Sequence, residues 1–109
     1  MSQNEIGNRG LLALTRFPGL EAIYARKCDI DGEGLSKLSE DSFPRLEALD
    51  LADNAIEDEG MQHLDKFHRL KVLCLERTII THQGLLAISC LKIAESLRKL
   101  HLGRNKLNP

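Results

Sequence analysis

At 109 residues the chain is long enough for one domain and too short for two, and 15 basic against 16 acidic side chains make it near-neutral. That balance gives no sign of a nucleic-acid binder. The longest apolar runs, such as residues 84–88, fall far short of the roughly 20 residues of a membrane helix, and the first ten residues carry Asn4, Glu5, Asn8 and Arg9 where a secretory leader has its apolar core. Three cysteines at unrelated spacings make no disulfide framework, so a reducing compartment, the cytoplasm, is the expected location.

In chain order, Ile6, Gly10, Leu11 and Leu14 come first, followed by Leu20, Ile23, Ala25, Ile30, Gly34, Leu35 and Leu38. The same relative places are then taken by Leu46, Leu49, Leu51, Ile56, Gly60, Met61 and Leu64, and again by Leu70, Leu73, Leu75, Ile80, Gly84, Leu85 and Ile88. Leu97, Leu100, Leu102 and Leu107 begin a further set. This spacing fits neither a helix nor a plain alternating strand, but it recurs every 24 to 27 residues, inside the range for a stack of short repeats. The expected organisation is one domain over 1–109, with a partial repeat at 6–19, repeats at 20–45, 46–69 and 70–96, and a partial repeat at 97–109.

The pattern of leucine, two variable residues, leucine, one variable, leucine, two variable and then asparagine resembles the leucine-rich repeat, with "LDLADN" (49–54) and "LHLGRN" (100–105) the nearest matches. The endings "GLSKL", "GMQHL" and "GLLAI" look like the ribonuclease-inhibitor and Ran GTPase-activating-protein type, in which the outer half of each repeat is an α-helix. The resemblance implies an α/β fold: a short right-handed horseshoe solenoid, with a parallel β-sheet on the concave face and helices on the convex face. It also implies an adaptor, inhibitor or recognition role.

Elementary geometry accounts for the spacing. Alternate strand residues face the same way, so Leu49 and Leu51 point into a core while Ala48, Asp50 and Ala52 point out. Asparagine at 54 and 105 sits at the following turn, where its amide satisfies backbone groups that no ladder reaches. Cys28 and Thr78 take the same slot with fewer or weaker groups, so their turns should be less well pinned. Asp31, Asp58 and Thr81 lie at the expected helix starts, where they cap free amides, and the acids around them suit the helix dipole. The run Glu57, Asp58, Glu59 lacks the alternating acids and terminal glutamate of a calcium loop. Phe17, Phe43 and Phe67 recur three residues before the first leucine and are expected in the core, with Ala94 taking that place in a last repeat whose helix is longer. Leu49→Ala or Leu73→Ala should cost about 2–5 kcal/mol, as large-to-small core changes do.

The variable strand positions then form columns about 4.8 Å apart. The middle column is Tyr24, Asp50, Cys74 and His101; Ala22, Ala48, Val72 and Lys99 flank it on one side, and Arg26, Ala52, Glu76 and Gly103 on the other, with Lys27, Asp53, Arg77 and Arg104 beyond. Asp50, Cys74 and His101 include the residue types of a nucleophilic triad, but the cysteine stands where the histidine should be, and Asp50 opposes a thiolate. The same three are metal-ligand types on a surface too flat to close a tetrahedron. No catalytic residue, cofactor or metal is therefore expected. His63, His68 and His82 read as surface residues without ligand spacing.

The expected function is a non-enzymatic module binding a partner protein through Tyr24, Arg26, Asp50, Asp53, Cys74, Glu76, Arg77 and His101. The alternative is a regulatory fragment resembling a Ran-type GTPase-activating protein. Residues 1–69 hold 8 basic and 14 acidic side chains and residues 70–109 hold 7 and 2, a polarity that favours oriented docking or head-to-tail contact between copies. Self-association through uncapped ends is accordingly a further expectation, whereas a basic end without interleaved aromatics argues against nucleic acid.

Overall fold

In the computed structural model the backbone is described for residues 3–107 and the side chains for residues 7–107. Ile6, expected to open the first partial repeat, has its side chain outside the described residues, and residues 108 and 109 of the expected last one lie outside them altogether.

The chain begins with helix α1 (Gln3–Ala13) and a 3-10 turn (Leu14–Arg16). Strand β1 (Ala22–Tyr24) leads into α2 (Gly32–Ser36), and β2 (Ala48–Asp50) leads into a 3-10 helix (Asp58–Lys66). After β3 (Val72–Cys74) come α3 (His82–Ser89) and α4 (Ile93–Ser96), and β4 (Lys99–His101) follows. The strands form a four-stranded parallel sheet in the order β1-β2-β3-β4. Each helical segment packs on the next in sequence: α1 on α2, α2 on Asp58–Lys66, that helix on α3, and α3 on α4. Chain neighbours are therefore spatial neighbours, as expected where each unit covers the apolar side of the one before.

The core is one cluster. Ile23, Leu49 and Leu73, partners in the sheet register, meet Leu35, Leu38, Met61, Leu64 and Ile88 from the helical segments. The turn residues Ile30, Ile56 and Ile80 close it from the side. Phe43 and Phe67 stack within it with ring centroids 6.4 Å apart.

Two expectations about the core change. Phe17 is 60% exposed, not a plug, as no described strand pairs with the outer edge of β1. Ile93, not Ala94, fills the corresponding place in the last full unit; Ala94 is exposed. The helix of this unit is the longer one, α3 having eight residues against five in α2, and the extra residues also form a second short helix, α4, whose Ile93 N–H donates to Asp65 Oδ1 of the preceding unit at 3.3 Å.

The second unit departs most from the others. Its outer half is a 3-10 helix with no side-chain cap, where the repeat pattern calls for an α-helix capped by Asp58. The reason lies in the neighbours. Asn8 reaches from α1 to Asp31, the N-cap of α2, donating from Nδ2 to Oδ1 at 2.9 Å and accepting Asp31 N–H at Oδ1 at 3.2 Å. Two units on, Asp58 reaches the next helix start in the same way, accepting Thr81 N–H at 2.8 Å and the Thr81 hydroxyl. The residue between Asn8 and Asp58 in this series is Gly32, which has no side chain to offer. The start of Asp58–Lys66 is thus left without the polar hand that orders α2 and α3, while its own acid serves the next helix. Gly34 and Gly84 make room for these hands, since a Cβ at either would collide with Asn8 or Asp58.

Candidate functional site

The open face of the sheet carries the residues that the sequence nominates. The register pairs Tyr24 with Asp50, Asp50 with Cys74 and Cys74 with His101, and it pairs Ala22, Ala48, Val72 and Lys99 in the same way. Tyr24, Arg26, Asp50, Cys74, Glu76 and His101 line one shallow hollow of about 340 Å³, floored by Ala48, Leu49 and Val72. Asp53 and Arg77 stand outside that hollow and pair with each other at 3.4 Å.

The face is electrostatically knit. Asp50 lies 3.6 Å from Arg26 Nε and accepts Ala52 N–H at 3.1 Å. Beside them Lys71 and Glu47 pair at 3.5 Å. Such half-exposed pairs contribute at most about 1 kcal/mol each. Their effect is to orient side chains while leaving Tyr24, 75% exposed, standing clear of the sheet.

Two members differ from expectation. Ala52, which alternation points outward, is fully buried, its short side chain lying in the column between the longer Arg26 and Glu76. Cys74 is in the predicted row but only 9% exposed, with its thiol 3.7 Å from Glu76 Oε1. Burial pushes that thiol above its ordinary pKa, Asp50 and Glu76 add to the rise, and a hydrogen bond from the Glu76 backbone only partly offsets it. A thiol held protonated is a poor nucleophile and a poor ligand. Among the described residues no group of three or more His, Cys, Asp or Glu side chains could hold a metal ion.

The turns below this face reverse another expectation. Cys28 and Thr78 occupy the weaker version of the asparagine slot, yet their turns are the best pinned. Asn54 Oδ1 accepts both Cys28 N–H and Ile30 N–H at 3.0 Å, and its Nδ2 donates to the carbonyls of Ala25 and Leu51 at 2.8 and 2.9 Å. Asn105 repeats this toward Thr78 N–H and Ile80 N–H at 2.9 and 3.1 Å, and toward the Leu75 and Leu102 carbonyls. Each asparagine secures the turn of the unit before its own. The turn after β2 has Thr78 as its neighbour, which spends its hydroxyl on Leu75 O, and Ile56 N–H bonds locally to Asn54 O instead.

These turns set the edge of the open face. Lys27, Asp53, Arg77 and Arg104 all have φ between 53° and 61°, the left-handed region, so the column beyond the hollow leaves the strand direction at the same place in every unit.

Two features escape sequence reading. Lys66 Nζ donates to the carbonyls of Leu35, Ser36 and Leu38, capping the C-terminal end of α2 from the next unit. Its signal, a cation 30 residues from the helix it caps, is invisible without the fold. His63, expected in solvent, is half-buried, and burial together with nearby Lys66 lowers its pKa. His68 lies at the surface, 3.8 Å from Glu40.

A family model described as "Leucine Rich repeat" matches residues 45–64, which span β2, its turn and most of the 3-10 helix. A search of curated proteins finds no match. The match and the parallel four-stranded sheet together support the leucine-rich repeat superfamily and an α/β fold of that type. Repeats of this kind point in general to protein interaction. Among the described residues no helix is long and apolar enough to cross a membrane.

Proposed function

We propose that the chain is a non-enzymatic adaptor module that grips a partner protein across the face containing Tyr24, Arg26, Asp50, Asp53, Cys74, Glu76, Arg77 and His101. That face would be the concave side of a short right-handed horseshoe, with the helical segments on the convex side. The observation that carries the reading is the in-register row Tyr24, Asp50, Cys74, His101 within one shallow hollow. An exposed tyrosine beside an arginine, here Tyr24 and Arg26, pairs two residue types that are enriched at interface hot spots. The protonated, buried Cys74 supports a non-enzymatic role. Three free cysteines suit the cytoplasm.

Proximity labelling and pull-down with the wild type, Tyr24→Ala and Asp50→Arg test this. Loss of the same captured protein from both variants is the expected result; its retention by both would move the site off this face. The regulatory alternative, a fragment resembling a Ran-type GTPase-activating protein, is supported by Gly34, Gly60 and Gly84 recurring at equivalent places in the helical segments. It requires stimulated GTP hydrolysis by a small GTPase, and its absence across a panel removes it.

A further inference from the structure

We infer that the hollow over β2 and β3 takes an arginine side chain from the partner protein, its guanidinium between the carboxylates of Asp50 and Glu76 and its methylene stem along Val72. The inference rests on the adaptor reading and names the chemistry that the face selects.

The backbone places the site. Asp50 and Cys74 stand on the two inner strands, each of which is paired on both sides, and Glu76 follows two residues after Cys74. The space above them is about 340 Å³, floored by Ala48, Leu49 and Val72, and His101 borders it over β4. The Cys74 thiol is 9% exposed and is kept protonated by burial and by the two acids, so it adds no charge to that floor. Val72 precedes Cys74 on β3 by about 6.6 Å, a distance within reach of an arginine stem lying along the strand.

Charge selects the occupant. Glu47, Asp50 and Asp53 each have a cation at 3.4 to 3.6 Å. Glu76 differs: among the described residues its carboxylate has no ion pair, and its Oε1 lies 3.7 Å from the Cys74 thiol. The column explains why. Arg26, Ala52, Glu76 and Gly103 run across the sheet, and the two neighbours of Glu76 there carry no charge. Asp50 is not fully used either, since its Oδ2 lies 3.6 Å from Arg26 Nε, longer than a hydrogen bond. Two carboxylates thus face the single guanidinium of Arg26 within the hollow. A partner's aspartate or glutamate would be repelled by that excess, and an apolar side chain would cover Glu76 without giving it a partner. A lysine offers a point charge, whereas the planar fork of an arginine can donate to carboxylates on two adjacent strands.

The test titrates the intact, isotope-labelled chain with N-acetyl-arginine N-methylamide and follows the backbone amide shifts, with the citrulline, lysine and aspartate analogues as comparators. Expected are saturable shifts at Asp50, Cys74 and Glu76, and about tenfold weaker binding of the citrulline analogue, which keeps the shape of arginine without its charge. Glu76→Gln should weaken the arginine compound by about the same factor, and the lysine analogue should bind more weakly than arginine. Binding of the citrulline, lysine or aspartate analogue as tight as that of arginine overturns the inference, as does the absence of saturable shifts at these residues. So do the same shifts on concentrating the chain alone, which would assign the hollow to a second copy. The two readings separate in the pull-down: a protein lost from Tyr24→Ala and Asp50→Arg but kept in full by Glu76→Gln leaves the adaptor module standing and removes the arginine.

Discussion

The turns after β1 and β3 differ from the turn after β2 in a way their own residues do not explain. The first two contain Cys28 and Thr78, poor occupants of the asparagine slot, and are held by Asn54 and Asn105 from the following unit. The third contains the asparagine itself and, past Asp53, receives only one backbone bond from the following unit, Glu57 N–H to Thr78 O at 2.9 Å, because the Thr78 side chain is spent on Leu75 O. The backbone records the alternation. Asp29 and Ile79 take positive φ in the turns held by asparagine, at 57° and 63°, whereas in the turn without such a side chain the positive φ falls at Glu57. In a stacked chain the residue that stabilises a turn belongs to the adjacent unit.

The largest test is therefore Asn54→Ala. It removes the side chain that serves four or more buried backbone groups across two units, and it should cost about 3–5 kcal/mol in urea unfolding. Thr78→Ala, in the same slot, deletes one hydroxyl donor to Leu75 O and should cost about 1 kcal/mol. Equal losses at the two positions would erase the distinction between the turns.

Lys66→Met removes the cation capping α2 from the next unit and should cost about 1 kcal/mol, with faster amide exchange confined to α2 and its exit. Exchange spread evenly over the chain would contradict a local cap.

Asp58 sharpens the comparison at the helix starts. Burial works to raise its pKa, but hydrogen bonds from the Thr81 hydroxyl, the Thr81 backbone and the Gly84 backbone outweigh burial and leave it below the ordinary value of 3.8. A carboxylate depressed in the folded state contributes stability that is fully present above its unfolded pKa and lost as pH falls through the folded one. The acid limb of stability below about pH 4 should therefore be shallower in Asp58→Asn than in the wild type. Parallel limbs would show that the carboxylate is not the group titrating.

The smallest effect is a gain. Ile79 is β-branched, half-exposed and at φ 63°, a conformation disfavoured for such residues. Ile79→Asn keeps the turn and should add about 0.5–1 kcal/mol. The equivalent residue in the first unit is Asp29, which tolerates that region, so Asp29→Asn should be neutral.

The strand positions were legible because alternation requires nothing beyond the chain itself. Leu49 and Leu51 had to share one side, and the row from Tyr24 to His101 followed from counting. The exposure of that row was less legible. Cys74 and Ala52 obey the alternation and are still buried, since neighbouring columns with longer side chains determine how much of a short one is reached by solvent. Phe17 and Phe43 occupy equivalent sequence places, yet only Phe43 has a coil on both sides.

Sequence by itself determined the spacing, the parallel strand-turn-helix units and the residues on each side of the sheet, because these depend on the period of the backbone. Tertiary structure alone decided which turn Asn54 holds, which helix Asp58 and Lys66 cap, and why the second unit winds as a 3-10 helix. Those contacts join residues 23 to 31 positions apart. Their existence depends on what the adjacent unit offers, and a glycine at position 32 offers nothing.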